Sequence, residues 1–461
     1  MQFFTFSFNF MKFKQFYLGC LAHASYYIGS ENEAVIIDPQ RDVQQYLDEA
    51  QANNQQIKYI IETHSHADFV SGHIELSQKT GAEIIYGQAA NTTFSTLKVT
   101  NGDILTIGKI SLKFLETPGH TPEGICILAQ CEGETDKLFT GDTLFIGDVG
   151  RPDLIGSKGF SAEQMGEFLY NSLHEKILPL SDETEIYPAH GAGSLCGKSL
   201  SKETWSTLSE QRKNNYALQP MSKTEFVKIV AADQPEVPAY FPQSAAKNLQ
   251  GSVSLDSLPN PQALSSQQIT DFNGVIIDVR KNFEYGKSHI PNSINIGLGG
   301  QFASWAGTLI PISTNLALVA ETQQQVDETF MRLARVGHET LSGYILFENY
   351  TGETKTIEQV SVEEVGKLSQ TEKFLQFIDV RRTAEHNAGH AYRTLNYPLD
   401  SLIKNLDKLN LESNAFVICQ SGYRSSLATS ILENAGFTVY NVTGGTEAWI
   451  NAGLRTEVTA S

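Results

Sequence analysis

The sequence predicts an α/β protein built from more than one domain, and three observations lead to this prediction. The chain has 461 residues, and domains usually hold about 100–200 residues. Its first part alternates short apolar strands with helical segments, which is typical of α/β folds. Its last part repeats a strand followed by Asp-Val-Arg about 100 residues apart, in VIIDVRKNF and FIDVRRTAE, which indicates a duplicated domain.

The residue pattern of the first domain predicts a series of strands and helices. Its segments are two strands within 24–38, a helix at 42–53 with Asp42 as its cap, a strand at 57–63, a helix near 70–80, a strand at 83–86 and a strand within 185–193. Residues 235–268 are rich in Pro, Ser, Gln and Asn, so they predict a linker. The predicted domains are therefore 1–262, 263–352 and 353–461.

Composition excludes several classes of protein. The chain carries 34 Lys and Arg against 52 Asp and Glu, a net charge of −18, which argues against nucleic acid or an anionic membrane as a partner. The five cysteines form no C-x-x-C pair, so no disulfide framework is expected and the reducing cytoplasm is the default compartment. No apolar run approaches the roughly 18 residues of a membrane span. The N-terminus does not have the pattern of a signal peptide, and Met11 is an alternative start to Met1.

Residues of the kind that ligate metals follow several predicted strands of the first domain. Six of them stand in turns beside Gly or Pro or in the stretch HSHAD: His64, His66, Asp68, His120, Asp142 and His190. For any one of them a surface or turn-capping role is the better interpretation. For all six together, a metal centre is the better one.

These motifs resemble the metallo-β-lactamase superfamily, whose H-x-H-x-D-H motif is followed by a later His, Asp and His. The resemblance implies an αββα fold for this domain. Position 69 is Phe where the binuclear hydrolases carry a His, so a ligand of the second metal is missing and a full two-metal centre is not expected. Two His and one carboxylate with open positions match the pattern of non-haem Fe(II) oxygenases. Within the superfamily, the domain is similar to the persulfide dioxygenases.

That resemblance implies roles for the six residues. Fe(II), as a single ion, would be held by His64, His120 and Asp142, and zinc is possible because the same ligands would also hold it. The other three would surround these ligands and orient water or a ligand: His66, Asp68 and His190.

Two further residues of this domain are candidates by the same resemblance. Arg151, in GDVGRPD, would help to place the anionic thiol carrier, and a surface ion pair is its alternative role. Cys196, six residues after His190, would be a thiol near the metal that carries a persulfide or simply fills a turn.

A second motif lies near the C-terminus, where FVICQSGYRSS predicts a buried strand, a loop and a helix. Cys419 ends the strand and faces a helix N-terminus, where backbone N–H groups favour an anion. Gly422 permits the tight turn and Arg424 adds a positive charge. With IDVRRTAEH and VTGGTEAW, this loop resembles the rhodanese family of sulfurtransferases, although a Cys–Arg loop alone would also suggest a phosphatase. The resemblance implies that Cys419 carries sulfur and that Arg424 stabilises its anionic forms.

The middle copy keeps the Asp-Val-Arg motif but reads LALVAETQQQ where the loop should be. Ala320 falls at the position of Cys419, and the Gly and Arg of the loop are also missing. A domain without thiol or anion cradle is expected to be an inactive, rhodanese-like spacer that docks the other two domains.

Together the resemblances imply a bifunctional persulfide dioxygenase–sulfurtransferase for sulfide detoxification. It would oxidise a low-molecular-weight thiol persulfide with O2 to sulfite, and would transfer sulfane sulfur through Cys419 to form thiosulfate. The alternative is a zinc-dependent thioester hydrolase of the glyoxalase II type with sulfur-binding rhodanese appendages, and a third hypothesis is a persulfide sensor. A homo-oligomer is expected. The carrier thiol stays open among glutathione, coenzyme A, bacillithiol and a protein cysteine.

Overall fold

A computed structural model describes residues 11–154, 159–232, 234, 236–371 and 376–459. The choice between Met1 and Met11 as the start falls on residues 1–10, which lie outside the described residues. The chain divides into two compact units, Met1–Leu258 with Ala334–Gly337 and Pro259–Leu333 with His338–Ser461. Within the described residues, no helix has both the length and the apolar character that crossing a membrane requires.

The described residues of the first unit form twelve strands. In chain order they are β1 (Lys12–Leu18), β2 (His23–Ser30), β3 (Glu33–Ile37), β4 (Gln56–Ile61), β5 (Glu83–Gly87), β6 (Leu97–Val99), β7 (Ile104–Ile107), β8 (Ile110–Glu116), β9 (Ile125–Gln130), β10 (Lys137–Gly141), β11 (Glu185–Pro188) and β12 (Ser206–Thr207). They form two six-stranded sheets, in the orders β1-β2-β3-β4-β5-β6 and β12-β11-β10-β9-β8-β7.

Helices cover the outer face of each sheet. They are α1 (Gln44–Ala52), α2 (His73–Thr80), α3 (Ala162–Ser172), α4 (Leu208–Asn214), α5 (Lys223–Ala231) and α6 (Phe241–Gln250), and a π-helical turn, Leu173–Ile177, continues α3. Strand β2 shows why this arrangement forms, because alternate side chains of a strand point to opposite faces. Tyr26 and Ile28 pack between the two sheets, and Tyr27 packs on the other face with Tyr46 of α1. The predicted αββα fold is therefore confirmed.

The predicted linker at 235–268 is wrong over Phe241–Gln250, which form helix α6. Ser244 and Asn248 of this helix are fully buried against the first unit. The Pro at the start of the segment is compatible with a first helical turn, where its missing N–H group costs nothing. The strand expected within 185–193 is also shorter, because β11 ends at Pro188.

The second unit holds the two repeated copies. The middle copy contains β13 (Gln262–Ala263), α7 (Ser266–Thr270), β14 (Val275–Asp278), α8 (Asn282–Lys287), β15 (Ser293–Asn295), α9 (Phe302–Leu309), β16 (Leu316–Ala320), α10 (Gln323–Arg335) and β17 (Leu341–Leu346). The last copy contains β18 (Glu358–Val360), α11 (Val362–Thr371), β19 (Gln376–Asp379), α12 (Thr383–Ala388), β20 (His390–Ala391), β21 (Leu395–Asn396), β22 (Ala415–Ile418), α13 (Tyr423–Asn434), β23 (Val439–Val442), α14 (Gly445–Asn451) and β24 (Thr456–Glu457).

Each copy has its own five-stranded sheet, and the two sheets have the same strand order. The parallel strand orders are β13-β17-β16-β14-β15 and β18-β23-β22-β19-β21. Asp278 pairs with Val319 in the first sheet, and Asp379 pairs with Ile418 in the second. The next residue along each central strand is Ala320 in one copy and Cys419 in the other, so the register gives Ala320 the place that the sequence predicts.

Candidate metal centre and sulfur-carrier loop

Three of the predicted ligands meet at one edge of the two sheets. His64 follows β4, His120 follows β8 and Asp142 follows β10 directly. The Oδ2 atom of Asp142 lies 3.7 Å from His64 Nε2 and 3.3 Å from His120 Nε2. All three side chains are buried. We refer to these three residues as the His64 group.

Hydrogen bonds turn the two imidazole rings toward Asp142. Thr63 Oγ1 donates its proton to Asp38 Oδ2 at 2.8 Å, so it accepts a hydrogen bond from His64 Nδ1 at 2.9 Å. His120 Nδ1 donates to the carbonyl oxygen of Arg151 at 2.9 Å. Each ring therefore presents the lone pair of Nε2 to the centre of the group, which is how metal-binding histidines are usually oriented.

Burial sets the protonation of the group. It lowers the pKa of His64 well below its ordinary value and lowers the pKa of His120 to about 4. It raises the pKa of Asp142 well above the ordinary value of an aspartate. The imidazoles are thus neutral and ready to ligate, while the carboxyl group must lose a proton when a cation binds.

The group fits a metal ion by a second observation. Neither oxygen of Asp142, nor His64 Nε2, has a hydrogen-bond partner among the described residues, although all are buried. Buried polar atoms are rarely left in this state. A small pocket opens beside them and is lined by Thr63, His64, Thr117, His120, Thr121, Gly124, Ile125, Asp142 and Thr143.

Asp68, His190 and Cys196 lie on the other side of Asp142. His190 Nε2 is 3.5 Å from Asp68 Oδ2 and 3.6 Å from Asp142 Oδ1. One ligand-type atom from each of Asp68, His190 and Cys196 lies within 4.8 Å of the other two. We refer to these three residues as the Cys196 group. Burial raises the pKa of the Cys196 thiol well above its ordinary value, and raises that of Asp68 to about 6.

His66 does not join either group. Its Nε2 atom lies 3.1 Å from Asp38 Oδ1 and 3.4 Å from Glu62 Oε2. Phe69 is 1% exposed, and its ring centre is 4.5 Å from that of His66. A phenyl ring thus fills the place where the sequence pattern of the binuclear hydrolases has a histidine.

Two further buried residues, which the sequence does not single out, shape this edge. The ring centre of His23, at the start of β2, lies 4.1 Å from that of Phe69, with the two rings tilted by 40°. His23 also forms an isolated antiparallel β-bridge with His190. Asn248 of α6 holds the HSHADF loop, because its amide donates to the carbonyl oxygens of His66 and Phe69, both at 2.8 Å. It also accepts a hydrogen bond from Ser71 N at 2.8 Å. The HASYYIGS strand gives no local sign of the role of His23, and Asn248 lies in the segment that composition assigns to a linker.

Arg151 is buried, with its guanidinium paired to Asp153. Nε and Nη2 donate to the two carboxylate oxygens of Asp153, both at 2.7 Å. The backbone of Arg151 connects the two groups of ligands, since its carbonyl oxygen accepts from His120 and its N–H donates to the carbonyl oxygen of Cys196 at 2.9 Å. The ion pair that was the alternative role for this residue is therefore present, with the Arg151 guanidinium buried and the Asp153 side chain 25% exposed.

The sulfur-carrier loop lies between β22 and α13. Cys419 is buried at the end of the strand, and its Sγ accepts a hydrogen bond from Gly422 N at 3.1 Å. Gly422 has a φ of 103°, in the left-handed region that favours glycine. The guanidinium of Arg424 donates one hydrogen bond of 2.7 Å to each carboxylate oxygen of Glu385.

The middle copy contacts the helix that follows this loop. Tyr423 Oη donates to the carbonyl oxygen of Gly297 at 2.9 Å. Ser426 Oγ donates to Asn295 Oδ1 at 2.7 Å, and Asn295 N donates to Ser430 Oγ at 3.0 Å. Both the sulfur-carrier loop and its helix thus rest on the copy that has no thiol.

An αββα sandwich with buried His and Asp ligands at one edge defines a metal-binding enzyme domain. The family model of the metallo-beta-lactamase superfamily matches residues 18–190, and that of the rhodanese-like domain matches residues 261–345 and 361–452. The chain belongs to the metallo-beta-lactamase superfamily and carries two rhodanese-like domains after the metal-binding domain.

The chain is similar to several known proteins. The mitochondrial persulfide dioxygenase ETHE1 of Bos taurus is 32% identical over 206 residues, which span 43% of this chain and 71% of that protein. The cytoplasmic hydroxyacylglutathione hydrolase of Arabidopsis thaliana is 32% identical over 183 residues, which span 38% of this chain and 67% of that protein. The crystal structure of a metallo-beta-lactamase from Staphylococcus aureus subsp. aureus COL is 34% identical, with a TM-score of 0.67, and covers 73% of this chain and 99% of that chain.

Proposed function

We propose that the chain is a bifunctional persulfide dioxygenase–sulfurtransferase. The first domain would catalyse R-S-SH + O2 + H2O → R-SH + SO3²⁻ + 2 H⁺ with a single Fe(II) held by the His64 group. The observation that carries this proposal is that two histidines and one carboxylate converge, while Phe69 takes the place of a further ligand. The similarity to persulfide dioxygenase ETHE1 over 43% of the chain supports it.

The residues of the first domain prepare this reaction. A bound iron ion would supply open coordination positions where O2 and the persulfide sulfur meet. Thr63 and the carbonyl oxygen of Arg151 hold the Nδ1 protons of His64 and His120, so both Nε2 atoms stay available. Phe69 packs an apolar ring against His23 and His66, where it cannot supply a metal ligand.

The last domain would carry out the transfer of sulfane sulfur. The Cys419 thiolate takes the outer sulfur of R-S-SH, releasing R-SH, and the resulting Cys–S–S⁻ gives that sulfur to SO3²⁻ to form S2O3²⁻. The N–H group of Gly422 points at Sγ and stabilises the anion. Because both sites are on one chain, sulfite made at the first site is available at a raised effective concentration to the second. We place the reaction in the cytoplasm, where cysteines stay reduced.

The alternative function is that of a zinc-dependent thioester hydrolase. The similarity to hydroxyacylglutathione hydrolase, 32% over 183 residues, favours it. A two-metal hydrolase needs a hydroxide held by both ions. Phe69 and the position of His66, which faces Asp38 and Glu62, argue against a full set of histidine ligands for this purpose.

A pair of substitutions tests the two-site proposal. With glutathione persulfide as substrate, His120→Ala is expected to abolish O2 uptake and to leave thiosulfate:cyanide sulfur transfer intact. Cys419→Ser is expected to do the opposite. His174→Ala and Cys131→Ser are matched controls, since these residues lie outside both sites, and both activities should persist in them. Loss of both activities in one of the folded site variants would contradict the proposal, as would thioester cleavage without O2 uptake in the wild type.

A further inference from the structure

An ion pair connects the middle copy to the helix that follows the sulfur-carrier loop. His289 precedes β15 in the middle copy, and its ring is fully buried. Its Nε2 atom lies 2.9 Å from Oε2 of Glu433, on α13 of the last copy, and the Glu433 side chain is 13% exposed. Ionisable side chains are rarely buried to this extent without a partner. The contact therefore joins the two domains through a pair of titratable groups.

Both nitrogens of the His289 ring face oxygen atoms that accept hydrogen bonds. Nδ1 lies 3.0 Å from the carbonyl oxygen of Tyr285, which has no proton to donate. Nε2 faces Glu433, so a proton must lie between Nε2 and Oε2, on either the imidazole or the carboxyl group. Loss of that proton removes one of the two hydrogen bonds, whichever nitrogen gives it up. The contact thus depends on a proton of the kind that histidine ordinarily exchanges between pH 5 and 8.

Titratable groups from other neighbouring segments also face the ring. Tyr285 of α8 stacks on it, with ring centres 4.0 Å apart. Asp278, at the end of β14, interacts with His289 electrostatically, but its carboxylate is paired with Arg280 through a hydrogen bond of 2.7 Å. Lys355 contacts His289 through two backbone hydrogen bonds of 2.9 Å, and its side chain is exposed. Because Arg280 balances the charge of Asp278, the acid on α13 is the carboxylate that holds the second proton of the ring.

The corresponding histidine of the last copy separates the repeated fold from the contact between copies. His390, like His289, stands nine residues after the arginine of the Asp-Val-Arg motif. Its Nδ1 donates to the carbonyl oxygen of His386 at 2.8 Å, and its ring stacks on that of His386 with centres 3.6 Å apart. The Nδ1 contact four residues back therefore belongs to the fold of each copy, whereas the Nε2 contact with Glu433 joins one copy to the other.

Helix α13 links this contact to the sulfur-carrier loop. The helix begins at Tyr423, directly after Gly422, whose N–H group meets the Cys419 sulfur at 3.1 Å. Glu433 lies near the other end of the same helix. The hydrogen bonds of the Tyr423 and Ser426 side chains to the middle copy use uncharged groups, so they do not change between pH 5 and 8. Among these three contacts, the ion pair is the one that a change of pH alters.

We propose that the proton shared by His289 and Glu433 positions the sulfur-carrier loop of the last domain. With the proton in place, α13 is held against the middle copy and the Gly422 N–H group stays directed at the Cys419 sulfur. When the proton is lost as the pH rises, a lone pair of the imidazole faces either the carboxylate or the Tyr285 carbonyl group, and the helix loosens. His289 and Glu433 are positioning residues, since they act through α13. The effect on sulfur transfer rests on the proposed function, whereas the pair itself does not.

Glu433→Gln in the full-length chain tests the pair, because the glutamine amide can donate to a neutral imidazole and needs no shared proton. Glu412→Gln, which replaces an exposed acid of the same domain, is the matched control. Hydrogen exchange of the α13 peptide is measured by mass spectrometry, and the variants are compared at each pH. At about pH 8, we expect α13 of the wild type and of Glu412→Gln to exchange about tenfold faster than that of Glu433→Gln. At about pH 6, we expect the wild type to exchange no faster than Glu433→Gln.

The kcat/KM for thiosulfate:cyanide transfer gives a second readout. The ratio of wild type to Glu433→Gln is expected to fall several-fold between about pH 6 and about pH 8, while the ratio of wild type to Glu412→Gln stays constant. A role in packing alone would lower the activity of Glu433→Gln by the same factor at both pH values. Such a constant factor, or equal α13 exchange in the wild type and Glu433→Gln at both pH values, would overturn the proposal.

If circular dichroism shows that Glu433→Gln does not fold, Glu433→Asp decides instead, because its carboxylate is one methylene group too short for the contact. Faster α13 exchange than in the wild type at about pH 6, with equal exchange at about pH 8, supports the pair, and wild-type exchange at both overturns it. The two readouts separate this pair from the proposed function. The expected α13 response in a chain without sulfur transfer would refute the sulfurtransferase and leave the pair standing, whereas transfer without the α13 response would do the reverse.

Discussion

The hydroxyl group of Tyr423 donates a hydrogen bond of 2.9 Å to the carbonyl oxygen of Gly297, which joins the sulfur-carrier loop of the last domain to the middle copy. Tyr423 stands between Gly422, whose N–H group contacts the Cys419 sulfur, and Arg424. The middle copy has no thiol of its own, but its Gly297 carbonyl oxygen accepts the hydrogen bond of Tyr423, which lies next to Gly422 in the chain. A spacer therefore acts as a support of the neighbouring site.

This relationship predicts the effect of a single methyl group. A Cβ atom added at Gly300 would come within 2.6 Å of the Tyr423 ring, so Gly300→Ala must displace the tyrosine. Overpacking of this kind costs about 1–3 kcal/mol. We expect a lower kcat/KM for thiosulfate:cyanide transfer and unchanged O2 uptake. Gly299→Ala is the matched control, since a Cβ atom there meets nothing within 4 Å. Equal transfer rates in the two variants would contradict this role of Tyr423.

The pair formed by Glu385 and Arg424 predicts a change in affinity for anions. The forked hydrogen bonds of 2.7 Å occupy the guanidinium that an anionic acceptor such as sulfite would use. Burial raises the pKa of Glu385, but its hydrogen bonds to Arg424 and the positive charge bring it below the ordinary value, so the carboxylate stays ionised at neutral pH. Glu385→Gln is expected to lower the KM for thiosulfate several-fold in steady-state assays, and Glu363→Gln, an exposed acid of the same domain, is not. A raised KM in Glu385→Gln would contradict the proposal that Glu385 and the anionic substrate compete for the Arg424 guanidinium.

The chain from Asp38 through Thr63 to His64 predicts metal affinity. Thr63→Val removes the hydroxyl that holds the Nδ1 proton of His64 and keeps the volume of the side chain. Loss of such a supporting group usually weakens metal binding about 10–100-fold. Competition with a chelator measures it, and Thr184→Val is the control, because the buried Thr184 hydroxyl has no partner among the described residues. Equal dissociation constants for the two variants would be inconsistent with this role.

The pKa shifts of the His64 group predict how metal binding depends on pH. The pKa of His120 is lowered to about 4, so this ligand needs no deprotonation above about pH 5. Burial raises the pKa of Asp142, so at any pH below that pKa a cation that binds this carboxylate must displace a proton. Affinity should therefore increase with pH, with a proton released on binding. Calorimetry in buffers of different ionisation enthalpy measures that proton, and binding without proton release would argue against the shift at Asp142.

The sequence could predict the His64 group because each ligand follows the end of a strand, and strand ends of one sandwich edge converge. The same reasoning could not separate His66 from its neighbours. Its place in HSHAD is that of a ligand, and only the fold shows that Asp38 and Glu62 lie beside its Nε2 atom.

Other features depended on contacts between distant parts of the chain. Asn248 lies 182 residues after His66, whose carbonyl oxygen accepts its hydrogen bond, and its surroundings in the sequence have the composition of a linker. Arg151 pairs with Asp153, two residues later. The sequence shows both residues, but it does not show that the Arg151 side chain is buried. In the repeated copies, by contrast, the common sheet order made the comparison of Ala320 with Cys419 reliable.

The most direct test of the proposed function is the stoichiometry of O2 and sulfite in the Cys419→Ser variant, because this variant is expected not to convert sulfite to thiosulfate. The chain is reconstituted with Fe(II) and supplied with glutathione persulfide, while O2 uptake is followed with an electrode and sulfite by chromatography. We expect one sulfite for each O2 consumed, and neither O2 uptake nor sulfite formation when His120→Ala is added. Turnover of a glutathione thioester with no O2 consumption, or sulfite formed without O2, would contradict it.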